Sequence, residues 1–380
     1  MSEFGIYVHW PYCATVCPYC DFNVYRARGA DNGRLLAAIE ADLAAHAERF
    51  GKREAASLFF GGGTPSLLRG EEIVRLIDAA SRSFVLATDC EITLEANPED
   101  AGLFAEQAAA GVNRFSVGVQ ALDDKALQAL GRKHDAATAV RAVETAAATG
   151  ARVSLDLIYA REGQSIAAWR EELQAALALP VEHLSLYQLT IEPGTAFARR
   201  LKRGQLTPPD ADLAAAHYEA TQELCDGAGA PAYEISNHAR TMAARARHNL
   251  IYWRGGDWIG IGPGAHGRIS CDGVRIATEA QRRPSDYIDA VNEHGLGWIS
   301  ETPLTAAQSG DELLLMGLRI EEGVDRGGYA ALRGRDFNAD ALSWLRDEGL
   351  INFDDARVQL TRAGRIVANT IAAELSFAND

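Results

Sequence analysis

The sequence has no apolar run close to the ~20 residues that a membrane-spanning helix requires. Its opening residues, Met-Ser-Glu-Phe-Gly, also lack the basic and apolar regions of a signal peptide. We therefore expect a cytoplasmic protein without a membrane span. A peripheral contact with the membrane is left open, although neither a lipid anchor nor a basic amphipathic helix is evident.

Positive charge is scarce: 37 Lys and Arg residues face 52 Asp and Glu residues, which gives a formal net charge of -15. A nucleic-acid partner would require a basic surface, so we expect none. The remaining composition, 47% hydrophobic and 23% charged, is that of an ordinary globular protein.

Cysteine is also rare, with six residues in 380. Cys90, Cys225 and Cys271 are scattered, which argues against a disulfide framework, and we interpret each as a small buried apolar residue. The other three, Cys13, Cys17 and Cys20, lie within eight residues, directly after an apolar run at 6–10 that predicts a strand. The sequence thus concentrates its thiols at one place.

The C-x3-C-x2-C spacing can place three thiolates around one 4Fe-4S cluster, whose fourth iron is then free to bind a small molecule. The alternative is a structural zinc site in which His9 or another histidine is the fourth ligand. Zinc sites of that kind usually pair their ligands in two knuckles, and the sequence has no second C-x2-C, so the cluster is favoured.

Up to about residue 190, β-rich runs alternate with Ala-rich helical patterns. The predicted strands cover 6–10, 57–60, 91–96, 114–120, 153–159 and 183–189, and the predicted helices cover 33–50, 71–84, 104–110, 136–149 and 166–179. Six β/α units predict a parallel sheet that closes fully or partly into a barrel, with ligands at the carboxyl ends of its strands. The cysteines, Gly61–Pro65, Glu95, Gln120 and Asp156 all fall at that mouth or just within it.

The rest of the chain follows a different pattern. We predict a barrel domain over 1–200, an extension over 201–300 that covers the open side of the barrel, and a winged-helix-like module over 301–380. The segment Gly262–Gly267 matches G-x-G-x-x-G, but Pro263 and the lack of a βαβ unit exclude a dinucleotide site. In His248–Trp253, an imidazole and two aromatic rings suit a flat macrocycle, yet a packed strand with a hydrogen-bonded histidine is favoured on the residues alone.

The cysteine spacing resembles the signature of the radical S-adenosylmethionine (SAM) superfamily. Taken with the motifs above, and with the segment Cys17–Asn23 in particular, the sequence resembles the oxygen-independent coproporphyrinogen III oxidase-like proteins, specifically the HemW-type heme chaperones. The resemblance implies a partial (β/α)6 radical SAM barrel with a winged-helix-like helical module. It also implies a 4Fe-4S cluster on the three cysteines and SAM bound by Tyr7, Tyr19, Gly62, Gly63, Thr64, Glu95, Gln120, Arg132 and Asp156.

One position separates the branches of that family. The oxidases have a further cysteine two residues after the third, where this sequence has Phe22, so the resemblance favours the chaperones. In that branch the His-Asn-x-x-Tyr-Trp string is associated with heme, which makes His248, Tyr252 and Trp253 candidates for heme binding. The implied function is to bind heme and pass it to an acceptor, such as a membrane respiratory enzyme, as a monomer or a cofactor-dependent dimer.

An oxygen-independent coproporphyrinogen III oxidase or a related radical SAM methyltransferase is the alternative function. The sequence identifies no catalytic residue for either.

Overall fold

Six parallel strands from the first half of the chain confirm the predicted β/α alternation. A computed structural model describes residues 3–29 and 31–377. In chain order the strands are β1 (Phe4–Trp10), β2 (Tyr12–Cys13), β3 (Tyr25–Arg26), β4 (Glu54–Gly62), β5 (Val85–Ala96), β6 (Arg114–Gln120), β7 (Arg152–Tyr159), β8 (His183–Gln188), β9 (Asn237–Ala239), β10 (Asp257–Ile261), β11 (His266–Cys271), β12 (Val274–Ala280), β13 (Trp298–Pro303), β14 (Val324–Asp325), β15 (Ile351–Phe353) and β16 (Arg357–Leu360).

Helices connect most of these strands. They are α1 (Asn32–Phe50), α2 (Gly70–Ser83), α3 (Phe104–Ala109), α4 (Asp124–Ala129), α5 (Ala136–Ala148), α6 (Ile166–Leu177), α7 (Ala196–Lys202), α8 (Ala211–Gly227), α9 (Arg247–Trp253), α10 (Pro284–His294), α11 (Ala306–Gly317), α12 (Arg326–Arg333), α13 (Ala339–Asp347), α14 (Arg362–Ile366) and α15 (Ala368–Phe377). Short 3-10 turns cover Pro65–Leu67, Pro98–Leu103 and Met242–Ala244. None of the described helices is long and apolar enough to cross a bilayer.

The main sheet has the order β13-β12-β11-β10-β1-β4-β5-β6-β7-β8-β9. Strands β10 and β1 pair in parallel, as do the neighbours in the order β1-β4-β5-β6-β7-β8, whereas β9 and β11 to β13 pair antiparallel with their neighbours. The order has two ends, so the described sheet is open, which agrees with a partial barrel. The segment 201–300, expected over the open side, extends the sheet at both of its edges instead.

Alternation along the strands gives the sheet one apolar and one polar face. On β5, Leu94 is fully buried in the hydrophobic core, whereas Glu95 belongs to the opposite face. On β6, Phe115 lies in the same core and Ser116 on the polar face. The helices bury the apolar face, and each fully buried Leu or Phe contributes roughly 2–3 kcal/mol. The inner face is thereby free for polar chemistry.

A buried ion pair organises the inner face. Nε of Arg114 donates to Glu91 at 2.9 Å, and both side chains are almost fully buried. Glu91 also accepts from the backbone N–H groups of Arg247 and His248, at 2.8 and 3.3 Å. These bonds satisfy two free donors at the N-terminus of α9. The segment is therefore a helix, and the strand suggested by its aromatic and β-branched residues was wrong because a long-range contact overrode local propensity.

The C-terminal module has a separate core. Strands β14, β16 and β15 form a small antiparallel sheet, and its apolar side chains pack with those of α11 to α15. Ion pairs join this module to the segment 201–300: Glu234–Arg319 at 2.6 Å, Arg254–Glu322 at 2.5 Å and Arg268–Glu312 at 2.8 Å. The module therefore has a fixed position beside α9.

Candidate functional site

The three predicted thiols occupy one loop after β1. Cys13 is buried, and Cys17 and Cys20 are partly exposed. The N–H of Cys20 donates to the carbonyl of Cys17 at 3.2 Å, which folds the loop back on itself. Burial raises the pKa of Cys20 to about 11, and the nearby thiols of Cys17 and Cys13 add to the rise. The three sulfur atoms are therefore close enough to interact electrostatically.

The glycine segment after β4 lies against the start of that loop. The N–H of Gly63 donates to the carbonyl of Trp10 at 2.7 Å, and that of Thr64 donates to the carbonyl of Tyr12 at 2.9 Å. Gly62 has φ +104°, and a Cβ there would come within 2.4 Å of the His9 ring. A side chain at Gly62 would collide with the His9 ring, so glycine is required where this backbone passes beside the cysteine loop.

Two carboxylates line the mouth from β5 and β7, with Ser116 of β6 between them. Glu95 accepts from the N–H of Gly62 at 2.9 Å, and Asp156 accepts from Ser116 Oγ at 3.0 Å. Burial raises the pKa of Glu95 to about 7, an effect that the Gly62 bond opposes and the charge of Asp156 increases. Burial likewise raises the pKa of Asp156 to about 6. A cation entering the mouth would favour the charged form of both groups.

Arg132 connects the glycine segment to the cysteine loop. Its guanidinium donates to Asn97 Oδ1 at 2.6 Å and to the carbonyl of Gly118 at 3.2 Å, and it lies 3.6 Å from Cys17 Sγ. Asn97 in turn donates to Thr64 Oγ1 at 3.2 Å. The predicted Arg132 and Thr64 are thus brought together with the predicted cysteines.

Gln120 and Tyr19 complete the rim. Gln120 ends β6 with a left-handed φ of +68°. Such a backbone conformation is uncommon for a residue other than glycine. The side-chain nitrogen of Gln120 lies beside Gly118, where an added Cβ would be only 2.8 Å away. Tyr19, on the cysteine loop, packs 6.2 Å from the ring of Phe197 on α7.

Tyr7 lies on the inner face beside Glu95. A Cβ on Gly61 would be 3.0 Å from the ring of Tyr7 and 3.2 Å from the carboxyl carbon of Glu95. The Tyr7 hydroxyl is 3.0 Å from Nδ1 of His9, and Nε2 of His9 is 2.9 Å from the carbonyl of Asn23. Burial lowers the pKa of His9 to about 4, so the ring is neutral at pH 7. Both of its nitrogens are engaged, which does not fit His9 as the fourth ligand of the zinc alternative.

The heme candidates on α9 have different surroundings. His248 is 1% exposed, with Nδ1 2.7 Å from Ser57 Oγ and Nε2 2.6 Å from the Tyr252 hydroxyl. Burial lowers the pKa of His248 to about 3. Trp253 points the other way, into a cluster with Tyr233 and Ile320, and lies 4.8 Å beneath the guanidinium of Arg319. The structure therefore separates Trp253 from His248 and Tyr252.

Two residues of the site were not among the predicted ligand contacts. Asn97 joins Arg132 to Thr64, and Asn23 bonds the cysteine loop to a turn more than 200 residues away. Asn97 directly follows Ala96 at the end of β5, and polar residues at strand ends were the signal used for Glu95. No comparable signal marks Asn23, because its partners are backbone carbonyls.

Among the described residues, no three His, Cys, Asp or Glu side chains are arranged to hold a single metal ion. The thiol donor set, the glycine backbone beside it and the mouth carboxylates fit a larger group with three sulfur ligands.

Comparison with known proteins identifies the class. Residues 7–176 match the model of the radical SAM superfamily, and residues 304–367 match that of the HemN C-terminal domain. The solved structure of coproporphyrinogen III oxidase (HemN) from Escherichia coli superimposes with a TM-score of 0.83 at 22% identity and covers 99% of this chain and 90% of the other. At that identity the likeness shows the fold. The radical SAM barrel and the C-terminal module predicted from the sequence are confirmed.

Curated relatives define the family more closely. The heme chaperone HemW of Mycobacterium tuberculosis is 37% identical over 98% of this chain and 95% of its own. HemW of Escherichia coli K12 is 35% identical over 98% of this chain and 97% of its own. The mitochondrial radical SAM domain-containing protein 1 of Bos taurus is 35% identical over 98% and 87%. The chain belongs to the HemW-type family of radical SAM proteins.

Proposed function

We propose that this protein is a heme chaperone that binds heme and transfers it to an acceptor protein. The observation that carries the proposal is the near-complete overlap with relatives named heme chaperone HemW. Phe22 supports it, because it stands where the oxidases have a cysteine, and its side chain is 60% exposed beside the cysteine loop. The acceptor is proposed to be a heme-requiring protein, including membrane respiratory enzymes, and the chaperone to act as a monomer or a cofactor-dependent dimer.

Cys13, Cys17 and Cys20 are the proposed ligands of a 4Fe-4S cluster. When bound, such a cluster supplies an open iron for the amino and carboxylate groups of SAM. Burial raises the pKa of the Cys13 thiol and raises that of Cys20 to about 11, so binding of a cluster to their thiolates must release protons. Arg132, 3.6 Å from Cys17, places positive charge where thiolate charge develops.

The mouth residues are proposed to hold SAM. Glu95 and Asp156 offer carboxylates to the cationic groups and ribose hydroxyls, and Arg132 offers a guanidinium to the carboxylate. Backbone at Gly62, Gly63 and Thr64 allows close approach. Tyr7, Tyr19 and Gln120 border the same space and are the proposed remaining contacts.

Heme is the proposed cargo, with His248, Tyr252 and Trp253 as its candidate residues. Because Trp253 packs against the C-terminal module, its proposed contribution is to fix α9 rather than to stack on the macrocycle. His248 and Tyr252 remain on the inner face.

Anaerobic reconstitution followed by heme titration tests the proposal. Iron and sulfide should produce the broad visible absorption of a 4Fe-4S cluster in the wild type and in Cys271→Ala, but not after alanine replaces Cys13, Cys17 or Cys20. Ferric heme should then bind saturably, and it should leave for an apo-acceptor on mixing. Stoichiometric zinc without iron and sulfide would contradict the cluster. Decarboxylation of coproporphyrinogen with formation of 5'-deoxyadenosine would instead identify an oxidase.

A further inference from the structure

A continuous chain of hydrogen bonds joins two of the three thiols. The guanidinium of Arg132 forks at one end: Nη1 donates to Cys17 Sγ at 3.6 Å, and Nη2 donates to Asn97 Oδ1 at 2.6 Å. Nδ2 of Asn97 donates to Thr64 Oγ1 at 3.2 Å. Burial raises the pKa of the Cys13 thiol, and a hydrogen bond with the Thr64 side chain opposes that rise. The chain of bonds therefore begins at one thiol and ends at another.

The donors and acceptors in this chain of bonds follow one order. A guanidinium has no acceptor, so the Asn97 atom that faces Arg132 is Oδ1, and the amide nitrogen faces Thr64. Because the Thr64 oxygen accepts this N–H, its own proton is free to point at the Cys13 sulfur. Both ends of the chain of bonds thus direct a hydrogen towards sulfur, and the Asn97 amide connects them.

The backbone of Asn97 is held independently of these bonds. Its N–H donates to Ser66 Oγ at 3.1 Å, and Ser66 Oγ donates to the Asp100 carboxylate at 2.7 Å. Pro98 follows at the start of a 3-10 turn. Proline restricts the residue before it to extended backbone, and Asn97 accordingly has φ -89° and ψ 144°. The amide that connects the two donors therefore has a defined position.

We propose that Asn97 is a positioning residue that aims the donors of Arg132 and Thr64 at the sulfur ligands and thereby raises the reduction potential of the bound cluster. This inference rests on the proposed 4Fe-4S cluster and is independent of heme transfer. Reduction adds negative charge that the sulfur ligands share, so hydrogen bonds to those sulfurs stabilise the reduced form more than the oxidised form. Asn97 acts through the orientation of the two donors rather than by contact with sulfur.

The test is a redox titration of the reconstituted full chain without SAM, in which the electron paramagnetic resonance signal of the reduced cluster is followed against potential. Asn97→Leu removes both amide bonds and should lower the midpoint potential. We expect a roughly tenfold smaller ratio of reduced to oxidised cluster at a fixed potential, or about 59 mV for a one-electron couple.

Asn97→Asp keeps the shape of the side chain and provides the measurement if Asn97→Leu does not retain a cluster. The carboxylate still accepts from Arg132 but has no N–H for Thr64. The Thr64 hydroxyl then donates to the carboxylate instead of to the Cys13 sulfur, so the midpoint potential should again fall.

Asn113→Leu is the matched control. The Asn113 amide also bonds to β5, but away from its carboxyl end: it accepts from the N–H of Ile92 at 2.8 Å and donates to the carbonyl of Cys90 at 2.8 Å. This variant should lose stability in urea and keep the wild-type midpoint potential. An unchanged midpoint in the Asn97 variants, or an equal fall in Asn113→Leu, would overturn the positioning role and leave the proposed cluster intact. Failure of the wild type to form a 4Fe-4S cluster would overturn the proposed ligands and this inference together.

Discussion

Nδ2 of Asn23 lies 2.9 Å from the carbonyl oxygen of Pro263, and the same amide donates to the carbonyl of Arg282 at 2.8 Å. These bonds fasten the end of the cysteine loop to the turn between β10 and β11 and to the connection between β12 and α10. Asn23→Asp keeps the shape of the side chain but replaces the donating Nδ2 with a carboxylate oxygen. That acceptor then faces two carbonyl oxygens, which are also acceptors. We expect a loss of roughly 1–3 kcal/mol in the free energy of unfolding and lower cluster occupancy after reconstitution.

Asn113→Asp is the control for that substitution. The Asn113 amide donates to the Cys90 carbonyl at 2.8 Å, remote from the cysteine loop. Urea denaturation should show destabilisation in both variants, whereas iron and sulfide content should fall only in Asn23→Asp. Full cluster occupancy in Asn23→Asp would remove the positioning role.

Gly62→Ala should destabilise the protein more than the addition of one methyl group suggests. The substitution combines a left-handed φ of +104° with a contact of 2.4 Å to the His9 ring. Gly163→Ala has a similar left-handed φ of +72° but nothing within 4 Å, so it isolates the backbone strain. We expect Gly163→Ala to cost about 1–2 kcal/mol and Gly62→Ala clearly more. Thermal unfolding of both proteins provides the comparison, and equal losses would contradict a steric requirement at Gly62.

Glu95 should make the free protein less stable at alkaline than at acidic pH. Its folded pKa of about 7 lies above the ordinary value of 4.5, so the folded state binds the proton more tightly. The free energy of unfolding therefore falls as the pH rises from about 4.5 to 7 and then stays level with respect to this group. Because Glu95 is partly exposed, we expect a change of only about 1–2 kcal/mol.

Glu95→Gln should flatten this pH dependence, whereas Glu171→Gln at an exposed helix position should not. Urea denaturation at pH 5 and pH 8 measures the difference between the variants. A profile in Glu95→Gln as steep as that of the wild type would mean that another group causes the slope.

Arg319→Ala should loosen the C-terminal module. Glu234 is fully buried and pairs with Arg319 at 2.6 Å, although Ser236 and Asn237 also donate to it. Loss of the guanidinium leaves the buried Glu234 carboxylate without its counter-charge. We expect the free energy of unfolding to fall by about 2–4 kcal/mol. Since Arg319 also covers Trp253, tryptophan fluorescence should change at the same time.

Arg346→Ala serves as the comparison because its partner Asp347 is exposed, and it should cost less than about 1 kcal/mol. The double variant Glu234→Gln with Arg319→Ala should recover part of the stability lost in Arg319→Ala. No recovery would show that the guanidinium acts through packing on Trp253 rather than through charge.

Much of the fold and the thiol site could be predicted because their signals are local. The strands β1, β4, β5, β6, β7 and β8 alternate with helices in the sequence, and the cysteines follow soon after β1. Glu95 and Gln120 could be placed at the mouth because the carboxyl ends of parallel strands meet there. The sequence did not indicate that β10 pairs with β1, since pairing between distant segments has no local pattern.

The helical state of 247–253 was missed for the same reason. Its tyrosine, tryptophan and isoleucine favour a strand, and Glu91, more than 150 residues earlier, supplies the acceptor that makes a helix start. Asn23 and Asn97 could not be assigned partners, because their hydrogen bonds depend on tertiary geometry.

Strand β1 lies between β4 and β10. During translation β1 and the cysteine loop are synthesised early. The strand β10, which pairs with β1, and Pro263, which accepts from Asn23, follow only with residues 257–263. Until then the nascent chain carries an unpaired strand edge next to its thiols. Insertion of the proposed cluster into a fully anchored loop therefore follows translation of more than two thirds of the polypeptide.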